Sequence, residues 1–279
     1  MSLKVEGFLQ KHLDRDDKTR ITTACLLAAG IGSRLQPLTV AMPKCLTKID
    51  GRPLLERLVT CLRDRGFKRL VVVVGHLEDR IRSFLDDCAG ELAVEYVRNP
   101  LYRTTNNIYS LWLAAAELDE SFLLMESDLI FGASLIEELL LPDRIAISRM
   151  LPWMNGTTIT MGCSGQVASF RNSRIVSPGA NEYKTVNIYS FSRSTWRRVF
   201  SRLDRAVTDG RVNEYYEVVL KEMIAEGSLS LECVTVDANR WYEVDAMGDL
   251  PGAEEVARKN STTLTSSLPM QIGIEGGRV

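Results

Sequence analysis

Residues Leu26 to Pro53 read LLAAGIGSRLQPLTVAMPKCLTKIDGRP, and the order of features in this string decides the fold. The apolar run Thr23 to Ala28 that leads into it is short, as a buried parallel strand is. Ala29, Gly30, Gly32 and Ser33 then make a turn with little side-chain bulk. Gly30 and Gly32 can adopt positive φ, so backbone N–H groups there can face anionic oxygens. Arg34 adds a planar fork of donors suited to phosphate, and Lys44 is a second cation further along. The string lacks the G-x-x-x-x-G-K-[ST] of a P-loop, and its single G-x-G lacks the third glycine of a dinucleotide fingerprint. On spacing alone it reads either as a nucleoside triphosphate site or as an ordinary strand-to-helix turn with solvated Arg34 and Lys44.

Outward from this string, strands and helices alternate. Residues 23 to 28 read as a strand, 53 to 65 as an amphipathic helix, Arg69 to Val74 as a strand and Arg80 to Asp87 as a helix. Ala93 to Val97 reads as a strand, Ile108 to Glu117 as a helix and Phe122 to Met125 as another short strand. This order, with continuous apolar strands, predicts an α/β fold: a Rossmann-like, mostly parallel mixed sheet flanked by helices. Ligands of such sheets bind beyond the carboxyl ends of the strands. Past about residue 145 the pattern shifts toward a smaller β/α part. The expected organisation is an N-terminal extension over 1–20 and a folded domain over 21–257. That domain divides into a nucleotide-binding part, 21–145, and an acceptor-binding part, 146–257. Residues 258–279, rich in Ser, Thr and Gly, read as a linker or flexible tail.

The chain has 279 residues and a formal charge of −2, with 34 basic against 36 acidic residues, so no global field favours nucleic acid or an anionic membrane. There is no apolar run long enough to span a bilayer, and the N-terminus is too charged for a secretory signal, which makes cytoplasm the expected location. Six cysteines are scattered without a C-x-x-C pair, and His12 and His76 are the sole histidines, which argues against zinc. Buried small hydrophobe is the expected role for the cysteines; Cys45, beside Lys44, is the exception that invites alkylation.

Taken whole, the opening string resembles L-x-A-G-x-G-[ST]-R-[LM]-x-P-L-T followed by P-K-x-[LM], the signature of nucleotidyltransferases that activate sugars and phosphoalcohols. The match runs through Leu27, Ala29, Gly30, Gly32, Ser33, Arg34, Leu35, Pro37, Leu38 and Thr39, then Pro43, Lys44 and Leu46. The resemblance implies a GT-A-like fold whose loop, Leu27, Ala28, Ala29, Gly30, Gly32, Ser33 and Arg34, wraps a triphosphate while Lys44 neutralises charge at the α-phosphate. It also implies Mg2+ held by Asp128, at the end of the FLLM strand, and Asp245, at the end of WYEVD. Mg2+ commonly takes one or two carboxylates plus substrate phosphates. Taken alone, an aspartate that ends a strand is more often a helix cap or turn residue, and only the resemblance reverses that reading. Glu126 is an alternative to Asp128, and Glu243 shares the strand face of Asp245.

Asn99 to Ala114, NPLYRTTNNIYSLWLA, resembles the phosphocholine cytidylyltransferase branch of that family. Side-chain amides and a hydroxyl suit a cytosine edge, so Asn106, Asn107 and Ser110 are candidate base or ribose contacts, with Thr105 or Asn106 equally able to cap the next helix. Trp153 to Thr157, WMNGT, resembles the family's W-x-D-G-T with Asn155 in place of aspartate. Neutral Asn155 suits a hydroxyl on the acceptor, whereas Trp153 can face a quaternary ammonium. Lys184, in YKTVNIY, is implied as the anchor of the acceptor's phosphate or phosphonate and counts with Lys44 and Arg34 as catalytic. Glu214 and Tyr216, in NEYYE, are implied headgroup contacts, although a glutamate at a helix start is also explained by the helix dipole.

The activity implied is transfer of CMP from CTP to a small phosphonate or phosphate, with 2-hydroxyethylphosphonate first and phosphocholine or 2-aminoethylphosphonate as alternatives. Two further readings are a sugar-1-phosphate nucleotidyltransferase and a catalytically silent nucleotide-binding subunit. The tail, read as a linker, suggests a fusion to or cooperation with a phosphoenolpyruvate mutase domain, as in the fosfomycin-biosynthesis members of the branch. No nucleic acid or membrane partner is implied.

Overall fold

A computed structural model of the chain describes residues 20–151, 154–172 and 181–265. Its centre is strand β1 (Thr23–Ala28), every residue of which is buried. Two short strands follow as a hairpin, β2 (Lys48–Ile49) and β3 (Arg52–Pro53). Strands β4 (Arg69–Val74), β5 (Ala93–Arg98) and β6 (Phe122–Glu126) build the parallel half of the sheet in the order β6-β1-β4-β5. After the short β7 (Leu129–Phe131) come β8 (Arg144–Arg149), β9 (Thr157–Met161), β10 (Val167–Asn172), β11 (Glu182–Phe191) and β12 (Glu232–Val236). They extend the same sheet beyond β6 mostly antiparallel, giving nine strands among the described residues. A separate ladder joins β7 to β13 (Trp241–Glu243).

The continuous apolar runs of β1, β4 and β6 follow from burial on both faces. Ala24, Leu26 and Ala28 point to one core and Cys25 and Leu27 to the other. On the first face lie α1 (Leu54–Asp64), through Leu55, Leu58 and Leu62, and α2 (Glu78–Cys88), through Ile81 and Leu85. The second is covered by α3 (Asn107–Ala114), α4 (Arg193–Thr208) and α5 (Glu217–Ala225), with Leu111, Trp196, Leu203 and Leu220 buried against the strands. Each such fully buried side chain contributes roughly 1.5–3 kcal/mol of transfer free energy.

Several expected boundaries shift. The helix expected from Arg80 begins two residues earlier, with acidic Glu78 and Asp79 in its first turn, where the helix dipole favours them. The helix expected over 108–117 ends at Ala114 and tightens into a 3-10 turn over Ala115–Glu117. The linker expected from 258 is instead helical for its first turns, since α6 spans Leu250–Thr265. Ala253, Val256 and Ala257 of α6 pack on Leu35, Ile130 and Val244, and the Asn260 amide donates to Arg240 O at 3.2 Å. Within segment 146–257, β9 to β12 join the large sheet, and β13 pairs with β7 apart from it. The expected extension lies outside the described residues except for Arg20. Among the described residues no helix is long and apolar enough to cross a membrane.

Candidate active site

Beyond the carboxyl ends of β1 and β6 opens a cleft of about 900 Å³. Its first wall is the turn after β1. Gly32 sits at φ 67°, ψ 38°, and a Cβ there would lie 3.0 Å from Lys44 Cβ and 3.1 Å from Thr39 Cγ2, so glycine is required twice over. Thr39 Oγ1 donates to Gly32 O at 2.8 Å and the His76 backbone N–H to Ala29 O at 3.0 Å. These bonds hold the turn open toward the cleft, where a Cβ on Gly30 would meet nothing within 4 Å. Leu27, Ala28, Ala29, Gly30, Gly32, Ser33 and Arg34 all line it.

Lys44 reaches the cleft floor from the turn Lys44–Leu46. Its Nζ donates to Asp128 Oδ2 at 2.6 Å and to Asp245 Oδ1 at 2.8 Å, and Arg34 Nη2 lies 2.8 Å from the same Asp245 oxygen. The two aspartates, distant in sequence, are brought together by the β7–β13 ladder, in which Glu243 pairs with Leu129 and Val244 N–H donates to Asp128 O at 2.9 Å. Asp249 fixes the second one by accepting from the backbone of Asp245 and Ala246 at 2.8 and 2.6 Å. Burial alone would lower the Lys44 ammonium, but the charges of Asp128 and Asp245 outweigh it and raise it above the usual lysine value. Burial pushes Asp245 upward; Lys44 and Arg34 overcome this and hold it below the usual carboxylate value.

Oxygens of Asp128, Glu243 and Asp245 lie within 4.8 Å of one another, and Asp128 Oδ1 is buried without a hydrogen-bond partner. An all-oxygen donor set with an orphaned carboxylate oxygen fits a hard divalent cation such as Mg2+. Glu243 is the third member, and Glu126 is not one. Glu126 Oε1 accepts from Asn107 Nδ2 at 3.0 Å, and burial, reinforced by Asp128 and Glu217, pushes its carboxyl well above the usual range.

Asn106, Asn107 and Ser110 line the cleft, but their polar atoms also hold the protein together. Asn106 Oδ1 accepts from Asn107 N–H at 2.8 Å as the N-cap of α3. Asn107 Oδ1 accepts from Tyr216 N–H at 3.0 Å, and Ser110 Oγ accepts from Asn99 Nδ2 at 3.0 Å.

At the far end the cleft is lined by Asn155, Gly156, Thr157, Lys184, Asn187 and Glu217. Lys184 is 2% exposed; its Nζ donates to Thr185 O at 2.8 Å and faces Glu243 Oε2 at 3.2 Å. Trp153 lies outside the described residues. Glu214 and Tyr216 do not line the cleft. Glu214 pairs with Arg211 at 2.8 Å, and Tyr216 is buried edge-on against Tyr189. Their neighbours Tyr215 and Glu217 take that place, because packing Tyr216 into the core turns the alternate side chains to the cleft. Burial pushes the Glu217 carboxyl up to about 7, against a smaller opposing pull from its backbone hydrogen bond and Lys184. The expectation of a reactive Cys45 is corrected: the thiol is 1% exposed and burial pushes it up to about 12. Thiolate character, on which reactivity depends, is suppressed there.

Residues 24–144 match a family model described as the MobA-like NTP transferase domain. The chain is 32% identical to the CMP-5'-(3-aminopropyl)phosphonate synthase of Streptomyces rubellomurinus over 81% of its length, and spans 37% of that larger protein. It is 26% identical to the choline-phosphate cytidylyltransferase of Streptococcus pneumoniae over 85% of this chain and 99% of the relative. For the 2-aminoethylphosphonate cytidylyltransferase of Lancefieldella rimae the figures are 28%, 82% and 90%. A solved structure of the CTP:phosphocholine cytidylyltransferase from Streptococcus pneumoniae shares the fold, with a TM-score of 0.74 over 85% of this chain and 99% of that one at 24% identity.

Proposed function

We propose that this nucleotidyltransferase, a member of the MobA-like NTP transferase family through residues 24–144, transfers CMP from CTP to a small phosphonate or phosphate and releases pyrophosphate. The observation that carries the reading is the meeting of Lys44, Asp128 and Asp245 on the floor of a glycine-walled cleft that continues to a second buried cation, Lys184. The names of the three relatives support CTP and a phosphonate or phosphate acceptor over a sugar phosphate.

The acceptor oxygen is already anionic, so the chemistry is alignment for in-line attack and neutralisation of repelling charge; no covalent intermediate is needed. The turn amides and Arg34 cradle the triphosphate, Lys44 offsets charge at the α-phosphate, and Lys184 orients the acceptor. Asp128, Asp245 and Glu243 would hold Mg2+, which when bound supplies further positive charge for the phosphates. Asn106, Asn107 and Ser110 form the base end of the cleft.

For the headgroup, Asn155 favours the hydroxyl of 2-hydroxyethylphosphonate, since a neutral amide pairs with a hydroxyl without stranding a charge. A second reading, an amine or quaternary ammonium, is favoured by Glu217 and Glu243 in the same end of the cleft. The chain spans about a third of its phosphonate synthase relative, and a partner domain with phosphoenolpyruvate mutase activity, working in the cytoplasm, completes the proposal. Phosphorus NMR of CTP mixed with each of 2-hydroxyethylphosphonate, 2-aminoethylphosphonate and phosphocholine tests the reading. A new pair of anhydride signals from the CMP adduct of one of them, together with pyrophosphate, is expected. Unchanged CTP with all three overturns it.

A further inference from the structure

Strand β11 changes partner in mid-course. Glu182 to Lys184 pair with β9, whereas Ile188 to Phe191 pair with β6. Along its other edge β11 stays with β8, but Thr185 pairs with Ile147 and Tyr189 with Ile145, so β11 bulges by two residues between them. The sheet therefore opens beside residues 185–187, on the cleft floor. Asn187 lies in this opening at φ 59° and is 9% exposed. Few residues other than glycine accept that backbone, and asparagine is one. Bulges of this kind re-aim a side chain.

The re-aimed amide completes a closed ring of bonds. Asn187 Oδ1 accepts from Thr185 Oγ1 at 2.9 Å, and Asn187 Nδ2 donates to Glu243 Oε1 at 3.1 Å. The other Glu243 oxygen faces Lys184 Nζ at 3.2 Å, and Lys184 closes the ring by donating to Thr185 O at 2.8 Å. Glu243 thus has two neighbourhoods, Lys184 on one side and Asp128 with Asp245 on the other. Asn187 pins it on the Lys184 side.

We propose that Asn187 is a positioning residue that holds Glu243 against Lys184 and thereby sets the direction of the lysine's remaining donor toward the acceptor's phosphonate or phosphate. This rests on the reading of Lys184 as the acceptor's anchor. An ammonium has three donors; two are committed to Glu243 and Thr185 O, and the third serves the acceptor. With the amide gone, Glu243 is free to turn toward the aspartates and Lys184 loses its fixed heading.

The test is a pair of single variants and their combination. Asn187→Asp keeps a residue that tolerates the backbone but opposes two carboxylates; Glu243→Gln removes the charge that Asn187 holds. Together, N187D/E243Q rebuilds the bond with donor and acceptor exchanged and the total charge restored. Each single variant is expected to raise the acceptor KM about tenfold, as for a lost hydrogen bond to a charged group; in Asn187→Asp, which keeps all three carboxylates of the metal-holding group, the CTP KM is expected to stay unchanged. The double variant is expected to recover most of that loss. Losses that simply add, or a CTP KM that rises in parallel in Asn187→Asp, overturn the proposal. The same cycle is read by thermal unfolding without substrate. If wild type turns over no acceptor, recovered stability in the double variant upholds the Asn187–Glu243 bond while the functional reading falls, and additive destabilisation overturns both.

Discussion

Lys44 and Asp128, 84 residues apart in sequence, meet at 2.6 Å, and the same ammonium reaches Asp245 at 2.8 Å. Lys44→Ala removes the charge offered to the α-phosphate and is expected to cut turnover on the order of a hundredfold or more, the cost of losing one charge-stabilising donor. It also leaves two carboxylates facing each other. Added Mg2+ should therefore raise the Tm of the variant by more than that of wild type. Full activity in the folded variant removes Lys44 from the chemistry.

Gly32→Ala should act on stability and activity together. The left-handed backbone costs an alanine roughly 1–2 kcal/mol, and the new Cβ presses on Lys44 Cβ at 3.0 Å. A lower midpoint of urea unfolding, with a raised KM for the nucleotide, is the expected pair of results. A shift in neither would show that the turn relaxes freely.

Glu217 makes stability depend on pH. Its carboxyl is pushed from 4.5 to about 7 in the folded protein, so the folded state binds its proton more tightly than the unfolded chain. The contribution is fully present below about 4.5 and is lost as pH rises through about 7, on the order of 3 kcal/mol at most. Lys184, Glu243 and Glu126 surround the group, so Glu217→Gln is the control. Its unfolding free energy should fall less than that of wild type between pH 5 and pH 8, measured by urea titration at each pH.

Thiol labelling distinguishes the cysteines. Cys163 is exposed, while Cys25 and Cys45 are buried with their thiols pushed upward by burial. A maleimide should label Cys163 in the native protein, and Cys25 and Cys45 only after unfolding, as read by peptide mass mapping. Rapid native labelling of Cys45 contradicts the packing around Lys44.

The parallel half of the sheet was legible because strands buried on both faces need unbroken apolar runs, and RLVVVV maps onto β4 residue for residue. The turn after β1 was legible because a left-handed residue without room for a Cβ leaves only glycine at position 32. Asp128 and Asp245 emerged from resemblance; the ladder that joins them is a pairing of two three-residue strands, too short to carry a periodic signal. The acceptor end was the least legible. Whether Tyr215 and Glu217 or Glu214 and Tyr216 face the cleft depends on one aromatic ring docking on Tyr189, a long-range contact. Asn187 carries no local mark either: within VNIY it reads as an ordinary strand residue, and only the change of partner along β11 gives it the left-handed turn.

The most direct test is initial-rate pyrophosphate release with CTP, UTP, dTTP, ATP or GTP, each paired with 2-hydroxyethylphosphonate, 2-aminoethylphosphonate, phosphocholine or glucose 1-phosphate. The account predicts release that requires CTP and Mg2+, is highest with one of the three small phosphonates or phosphates, and yields a product with the mass of its CMP adduct. Release with UTP or dTTP and glucose 1-phosphate, and none with CTP, would contradict it.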